Sequence, residues 1–344
     1  MIAIHTKSGH FAPGWVAYCH ENDIAFKEVD CFTSDIIQQL RGCTALLWHW
    51  PHHDYRAQLF ARQLIASVEE MGLLVFPNTA TCWHYDDKVG QKYLLEAIDA
   101  PLIPTFVFYD RRSALEWIEE TTFPKVWKLR GGAGSQNVHL VRSRQAARKI
   151  VKRSFGSGWN NSRFHAFRDR IWHFRRDRAL GTFLNIGRGA ARIVFPRKET
   201  VSSVKQSGYV YFQEFVPNNT FDIRIQVIGN RAFGLKRFVR SGDFRASGSG
   251  QLEYDPCQLP LECVEIAFDV CGQLNAQSLA FDFVVKSGRY LIVEISYAFP
   301  ASFYSPCPGY WDSSLNWQAG PITPERFILE DVLHALDGGL SDVG

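Results

Sequence analysis

Two carboxylates set into apolar strands constrain this chain more than any other feature. Asp282 stands in Ala-Phe-Asp-Phe-Val-Val and Glu294 in Leu-Ile-Val-Glu-Ile-Ser, with the turn Lys286 to Arg289 between them. A charged group flanked by large apolar side chains on a buried strand is costly unless it is paired or metal-bound. Two such acids on neighbouring strands can meet at one hard cation, which prefers carboxylate and phosphate oxygens. Pairing with a nearby arginine is the ordinary alternative.

Positive charge stands close by in sequence. Phe-Asp-Ile-Arg-Ile (221 to 225) and Gly-Leu-Lys-Arg-Phe (234 to 238) put Arg224, Lys236 and Arg237 on paired strands, and Arg245 follows in a Gly/Ser loop. Arginine forks and lysine point charges suit a triphosphate and a developing acyl phosphate. Upstream, Lys-Leu-Arg-Gly-Gly-Ala-Gly-Ser (128 to 135) joins two strands with a loop rich in backbone N–H groups, suited to covering phosphates. It has the spacing of neither a Walker A nor a dinucleotide-binding motif.

The surrounding chain is a globular protein of 344 residues, expected to form two or three lobes. Strands Ile2–His5, Phe26–Val29, Ala45–Trp48 and Leu74–Phe76 alternate with helices, one of them Arg56–Met71 with Leu59, Phe60, Leu64 and Val68 on one stripe. That order predicts a small parallel α/β lobe over residues 1–85. Beyond it, helix Lys88–Ile98 and strands 105–109, 124–129, 138–141, 209–215, 223–228, 231–237, 280–285 and 290–295 predict an α+β body of antiparallel sheets. The N-terminus reads as a strand rather than a signal peptide. No apolar run reaches membrane-spanning length. Eight cysteines without CxxC spacing fit structural thiols and a cytoplasmic protein.

The order of motifs resembles the ATP-grasp superfamily of carboxylate-amine ligases, most closely its RimK-like branch. The resembling stretches are Phe76-Pro77-Asn78 through Asp87-Lys88, Pro124 to Lys128 with its glycine loop, Tyr211 to Val216, Asp222-Ile223-Arg224, Lys236-Arg237 with Asp243-Phe244-Arg245, and Asp282 with Val293 to Ser296. They span residues 76 to 305. The resemblance implies an N-terminal α/β domain at 1–85, a central lobe at 86–215 with a basic insert at about 142–205, and a C-terminal lobe at 216–335, with nucleotide between antiparallel sheets. It implies that Lys88 and Lys128 contact ATP phosphates beneath the loop of Gly131, Gly132, Gly134 and Ser135. Gln213, Glu214, Phe215 and Val216 would form the adenine hinge, with Asp222 also on the nucleotide side. Arg224, Arg237, Arg245 and Lys236 would serve the transferred phosphoryl group and the substrate carboxylate. Asp282 and Glu294 would bind Mg²⁺, with Mn²⁺ as an alternative. Ser296 stands where the family usually has Asn, which puts a second metal site in question. The implied reaction joins a carboxylic acid to an amine through an acyl phosphate. A kinase, and a nucleotide-dependent binding protein without catalysis, are the alternatives on the same fold.

Three features lie outside that core. Residues 142 to 199 hold 16 Lys and Arg against three acids, a local charge of +13 within a protein of net +3. Within them, Phe164, Phe167, Ile171 and Phe174 recur at helical spacing over 163–180. Such a segment suits a solvated face, peripheral contact with an anionic membrane, or attraction of an acidic or sugar-linked substrate such as a uronic acid or polysaccharide precursor. No nucleic-acid partner is expected. Finally, His10, Trp15, His49 and His53 follow strands at the carboxyl edge of the α/β lobe, where open α/β sheets bind ligands, and are candidate substrate contacts.

Overall fold

Strand and helix alternate from the N-terminus, and each apolar strand needs cover on both faces, so the first part of the chain closes into a parallel sheet. The computed structural model describes residues 1–7, 11–52, 54–132, 137–159, 205–240 and 243–341. Strands β1 (Ile2–His5), β2 (Phe26–Val29), β3 (Ala45–Leu47) and β4 (Leu74–Phe76) pair in the order β2-β1-β3-β4, all parallel. Helix Tyr55–Glu70 starts at Asp54, whose carboxylate accepts the Ala57 N–H at 3.2 Å, an N-cap. It buries Ala57, Ala61, Leu64, Ile65 and Val68. Leu59, expected on that stripe, is 58% exposed. At 100° per residue it falls opposite the line from 57 to 68.

The next sheet comprises β5 (Thr105–Phe108), β6 (Lys125–Lys128), β7 (Val138–Val141) and β8 (Val210–Glu214), antiparallel in the order β5-β8-β6-β7. Helices Arg111–Glu120 and Arg144–Ser154 cover one face, packing Ala114, Ile118, Ala147 and Val151 against Trp127, Leu129 and Phe212. The second of these helices belongs to the basic segment. Its polar side carries Arg148, paired with Glu119 at 2.7 Å. The helix expected over 163–180 lies outside the described residues.

The third sheet is seven-stranded: β9 (Phe221–Ile228), β10 (Arg231–Phe238), β11 (Leu252–Glu253), β12 (Ser278–Lys286), β13 (Arg289–Ser296), β14 (Gly309–Asp312) and β15 (Trp317–Ala319). The order is β13-β12-β9-β10-β14-β15, with β11 on β10. Helix Leu261–Leu274 packs Cys263, Val264, Ala267 and Val270 against one face of it. Helix Pro324–Ser341 adds Ile328, Leu329 and Val332 to a cluster shared with Ile2, Ile4, Phe11 and Phe233.

Residues group into two compact units where three segments are expected from the sequence. One holds Met1–Tyr85, Gly90–Leu102 and Asn218–Gly344, the other Asp86–Val89 and Ile103–Pro217. The parallel sheet and the seven-stranded sheet share buried clusters, which makes them a single unit.

Candidate functional site

In the larger unit, strict alternation along β9 and β12 sorts side chains between the two faces of the sheet. Ile223, Ile225, Val227, Phe281 and Phe283 enter the core beneath helix Leu261–Leu274. Asp222, Arg224 and Asp282 therefore stand on the opposite face. Arg224 and Asp282 are direct cross-strand neighbours, as are Asp222 and Arg237.

Glu294 reaches that face through an irregularity. Phe283 pairs with Ile292, but Asp282 pairs with Glu294, so Val293 is an extra residue in β13. Ile292 and Glu294 are two apart and would share a face in an uninterrupted strand. The bulge leaves Ile292 fully buried in the core and brings Glu294 opposite Asp282, making Arg224, Asp282 and Glu294 a row across three strands.

Charges on this face are tightly paired. Arg224 Nη1 donates to Asp282 Oδ1 at 2.7 Å, and Arg237 Nη2 lies 2.8 Å from Asp282 Oδ2. Arg237 also grips Asp222, with Nε to Oδ1 at 2.7 Å and Nη2 to Oδ2 at 2.8 Å. Arg224 Nε donates to the Tyr304 phenol oxygen at 3.0 Å. Burial works against the Asp282 charge, but the guanidiniums of Arg224 and Arg237 outweigh it and hold the carboxyl below the ordinary range. For Asp222 burial prevails over Arg237, and its carboxyl is raised.

The donor set suits a hard divalent cation: two carboxylates in register, and a hydroxyl at Ser296. Among the described residues no group of three or more His, Cys, Asp or Glu is placed to hold a metal alone. A cation on Asp282 and Glu294 therefore needs further oxygens, such as those of a phosphate. The Ser296 hydroxyl donates to the Ala298 carbonyl at 2.9 Å.

Lys236 does not join this group. As the neighbour of Arg237 on a strand it projects from the other face, 3.8 Å from Glu253, 3.3 Å from the Gln258 side-chain oxygen and over the Phe221 ring at 4.5 Å. Arg245 lies in the following loop and folds back on Asp243, with Nε to Oδ2 at 2.9 Å and Nη2 to Oδ2 at 2.5 Å.

The smaller unit holds the lysines. Lys128 and Tyr211 are cross-strand partners, and Gln213 is two residues from Tyr211, so all three share the face not covered by helices. Gln213 donates to Thr105 Oγ1 at 3.2 Å and to the Tyr211 phenol oxygen at 3.3 Å. Glu214 projects the other way and pairs with buried Lys125 at 2.6 Å, with Phe215 and Val216 following half-buried. Lys88 Nζ donates to the Gly132 carbonyl at 2.8 Å, while Gly132 N–H donates to Asp86 Oδ1 at 2.6 Å. A Cβ on Gly131 would stand 3.1 Å from Asp86 Oδ2, so the close approach of that carboxylate favours glycine there. This contact of Asp86 with the glycine loop is not foreseen from the sequence; its place beside Asp87-Lys88 is the one signal that could find it. Gly134 and Ser135 lie outside the described residues.

Trp15 and His49 are corrected as substrate contacts. Trp15 is fully buried between helix Ala12–Glu21 and the C-terminal helix, its indole N–H donating to the Glu325 carbonyl at 3.0 Å. His49 is 2% exposed and stacked on Phe11 at 4.0 Å. Both side chains pack in the core. Trp15→Phe is expected to cost about 1–3 kcal/mol, since it removes the indole hydrogen bond and part of a fully buried ring, and to leave nucleotide affinity unchanged; melting and calorimetric titration check both. His10 and His53 lie outside the described residues. The Cys82 and Cys307 thiols are pushed up to about 12, by burial above all, so neither is poised as a nucleophile.

No family model and no curated protein matches the chain. Solved structures do. D-alanine–D-alanine ligase from Bacillus anthracis superposes with a TM-score of 0.57 at 12% identity, covering 98% of each chain. A RimK-domain ATP-grasp protein from Sphaerobacter thermophilus gives 0.51 at 16% identity over 86% of this chain and 89% of its own. The biotin carboxylase domain of 2-oxoglutarate carboxylase from Hydrogenobacter thermophilus, in complex with MgADP and bicarbonate, gives 0.53 at 12% identity over 87% and 64%. No helix among the described residues is long and apolar enough to cross a membrane. With its parallel α/β sheet, its four-stranded antiparallel sheet bearing the lysines and its seven-stranded sheet bearing the paired acids, the chain has the ATP-grasp fold.

Proposed function

We propose that the chain is an ATP- and Mg²⁺-dependent ligase that joins a carboxylic acid to an amine through an acyl phosphate. The observation that carries this reading is the row Arg224–Asp282–Glu294, where the bulge at Val293 sets two acids side by side with two arginines on the same face. With Asp222 counted, three acids share this face with two arginines, one acid more than a structural pairing needs, and the surplus carboxylate suits a metal-bound nucleotide triphosphate.

By this reading Asp282 and Glu294 hold the cation, which when bound neutralises charge on the phosphate oxygens. Arg224 and Arg237 exchange Asp282 for the γ-phosphate, an exchange that would leave the Asp282 oxygens available to hold the cation. Arg245 leaves Asp243 for the substrate carboxylate. In the smaller unit, Lys88 and Lys128 are the groups that the family resemblance assigns to phosphates, and the backbone from Gln213 to Val216 is the part it assigns to adenine. The substrate carboxylate attacks the γ-phosphorus, ADP leaves, and the amine then displaces phosphate from the acyl carbon. Positioning and exclusion of water supply the rate, since water would hydrolyse the acyl phosphate. No side chain is assigned as general base; an amine arriving deprotonated needs none.

For the acid we favour an acidic or sugar-linked molecule such as a uronic acid, and for the amine an amino acid. The +13 segment supports this choice, because it raises the local concentration of anions around a core that is otherwise acidic. The purified chain is incubated with ATP, Mg²⁺ and a panel of uronic acids and amino acids, and followed by phosphate release and product mass. An amide with ADP and phosphate is expected. A phosphorylated acceptor with no free phosphate would make the protein a kinase instead, and no turnover across a broad panel would favour a binding protein.

A further inference from the structure

Arg224 is anchored from two sides by groups of different charge. Its Nη1 donates to Asp282, and its Nε donates to the Tyr304 phenol oxygen at 3.0 Å. Among the described residues its Nη2 has no partner. Tyr304 is 1% exposed, and its ring is held edge-on by Phe233, with centroids 5.0 Å apart, and by Phe299 at 5.3 Å. Phe233 lies on β10 and Phe299 just beyond β13, so the phenol oxygen is fixed by the same sheet that carries the charged row.

We propose that Tyr304 is a positioning residue for the phosphoryl-transfer site: it pins Arg224 Nε so that the Nη2 edge of the guanidinium is presented to the γ-phosphate before nucleotide arrives. This rests on the functional reading given above for Arg224. Position 304 calls for a neutral acceptor. A carboxylate would hold the guanidinium more firmly but cancel the charge needed by the phosphate. A buried phenol orients without neutralising, and burial raises its pKa, so it stays protonated throughout the physiological range. Arginine also has more rotamer freedom to lose than a clamped ring, so fixing it in advance lowers the entropy cost of ligand binding. When the γ-phosphate takes Arg224 from Asp282, Tyr304 is the anchor that remains.

Tyr304→Phe keeps the ring and removes only the oxygen. Dissociation constants for the magnesium complexes of ADP and of the β,γ-imido analogue of ATP are measured by titration calorimetry. The set is wild type, Tyr304→Phe, Arg224→Gln and the double variant. Tyr304→Phe is expected to weaken the imido analogue about tenfold, as for a lost hydrogen bond to a charged group, with ADP unchanged. In the Arg224→Gln background it should have no further effect. Equal weakening of both nucleotides, wild-type affinity for both, or an additive loss in the double variant would overturn the proposal. A wild-type protein that binds neither nucleotide, or an Arg224→Gln variant that keeps the full difference between them, overturns instead the functional reading beneath it. A second measurement needs no Tyr304 variant. The Arg224 Nε–H resonance, assigned by its loss in Arg224→Gln, should be protected from solvent exchange without nucleotide, and rapid exchange would also overturn the proposal.

Discussion

Glu294→Gln is expected to lower ATP turnover by at least about a hundredfold while leaving the melting temperature close to wild type. Gln has nearly the same shape and keeps one oxygen, so the cross-strand place opposite Asp282 survives. What it loses is one of the two carboxylate charges assigned to the cation in the proposed function. Manganese binding in the presence of ADP, followed by electron paramagnetic resonance, should weaken in parallel. Retained metal affinity together with retained turnover would remove Glu294 from the metal site, and with it the meaning given to the bulge at Val293.

Arg237→Met should have the largest effect on stability. Its guanidinium joins Asp222 and Asp282, and its side chain is 8% exposed. Removing one partner of a buried charge network costs about 3–5 kcal/mol, because the acids left behind stay desolvated. For a chain of this size that lowers the melting temperature by about 4–7 °C. The loss has a definite pH dependence. Asp222 is already raised by burial, and without Arg237 its folded pKa rises further above the unfolded value. An acid shifted in that direction loses folding stability as pH climbs from its unfolded pKa, about 3.9, through its folded one. The deficit of the variant should therefore be smaller at pH 4 than at pH 7. Melting curves at the two pH values measure it, and a deficit that does not change with pH would mean that lost packing, not unpaired charge, is the cost. Adding Asp222→Asn should recover part of the stability at pH 7.

The paired acids and arginines are legible in the amino-acid sequence, while their geometry is not, because two kinds of regularity are involved. Alternation in Phe-Asp-Ile-Arg-Ile and Ala-Phe-Asp-Phe is local, and it places Asp222 and Arg224 on one face and Asp282 between core residues with no knowledge of the partners. For Glu294 the same rule misleads, since it pairs the side with Ile292; only strand pairing reveals the extra residue at Val293. Grouping Lys236 with Arg237 fails for the converse reason, that neighbours in a strand point apart. Trp15 and His49 sit where a ligand could approach an open sheet, and burial by Phe11 and by the helix Pro324–Ser341 is a fact of distant chain segments. That helix and Leu261–Leu274 are not among the elements expected from the sequence; the latter begins at Pro260 with no side-chain cap to mark it.

The amino-acid sequence by itself determined the parallel α/β start, the antiparallel sheets and the residue types that meet at the site, because strand periodicity and the cost of burying charge act over a few residues. Tertiary structure alone decided that Arg224 is held by Tyr304 from 80 positions away, that Asp86 touches the glycine loop, and that Glu294 faces Asp282. Those contacts depend on the path of the whole chain and on one inserted residue in a strand, and neither leaves a local trace.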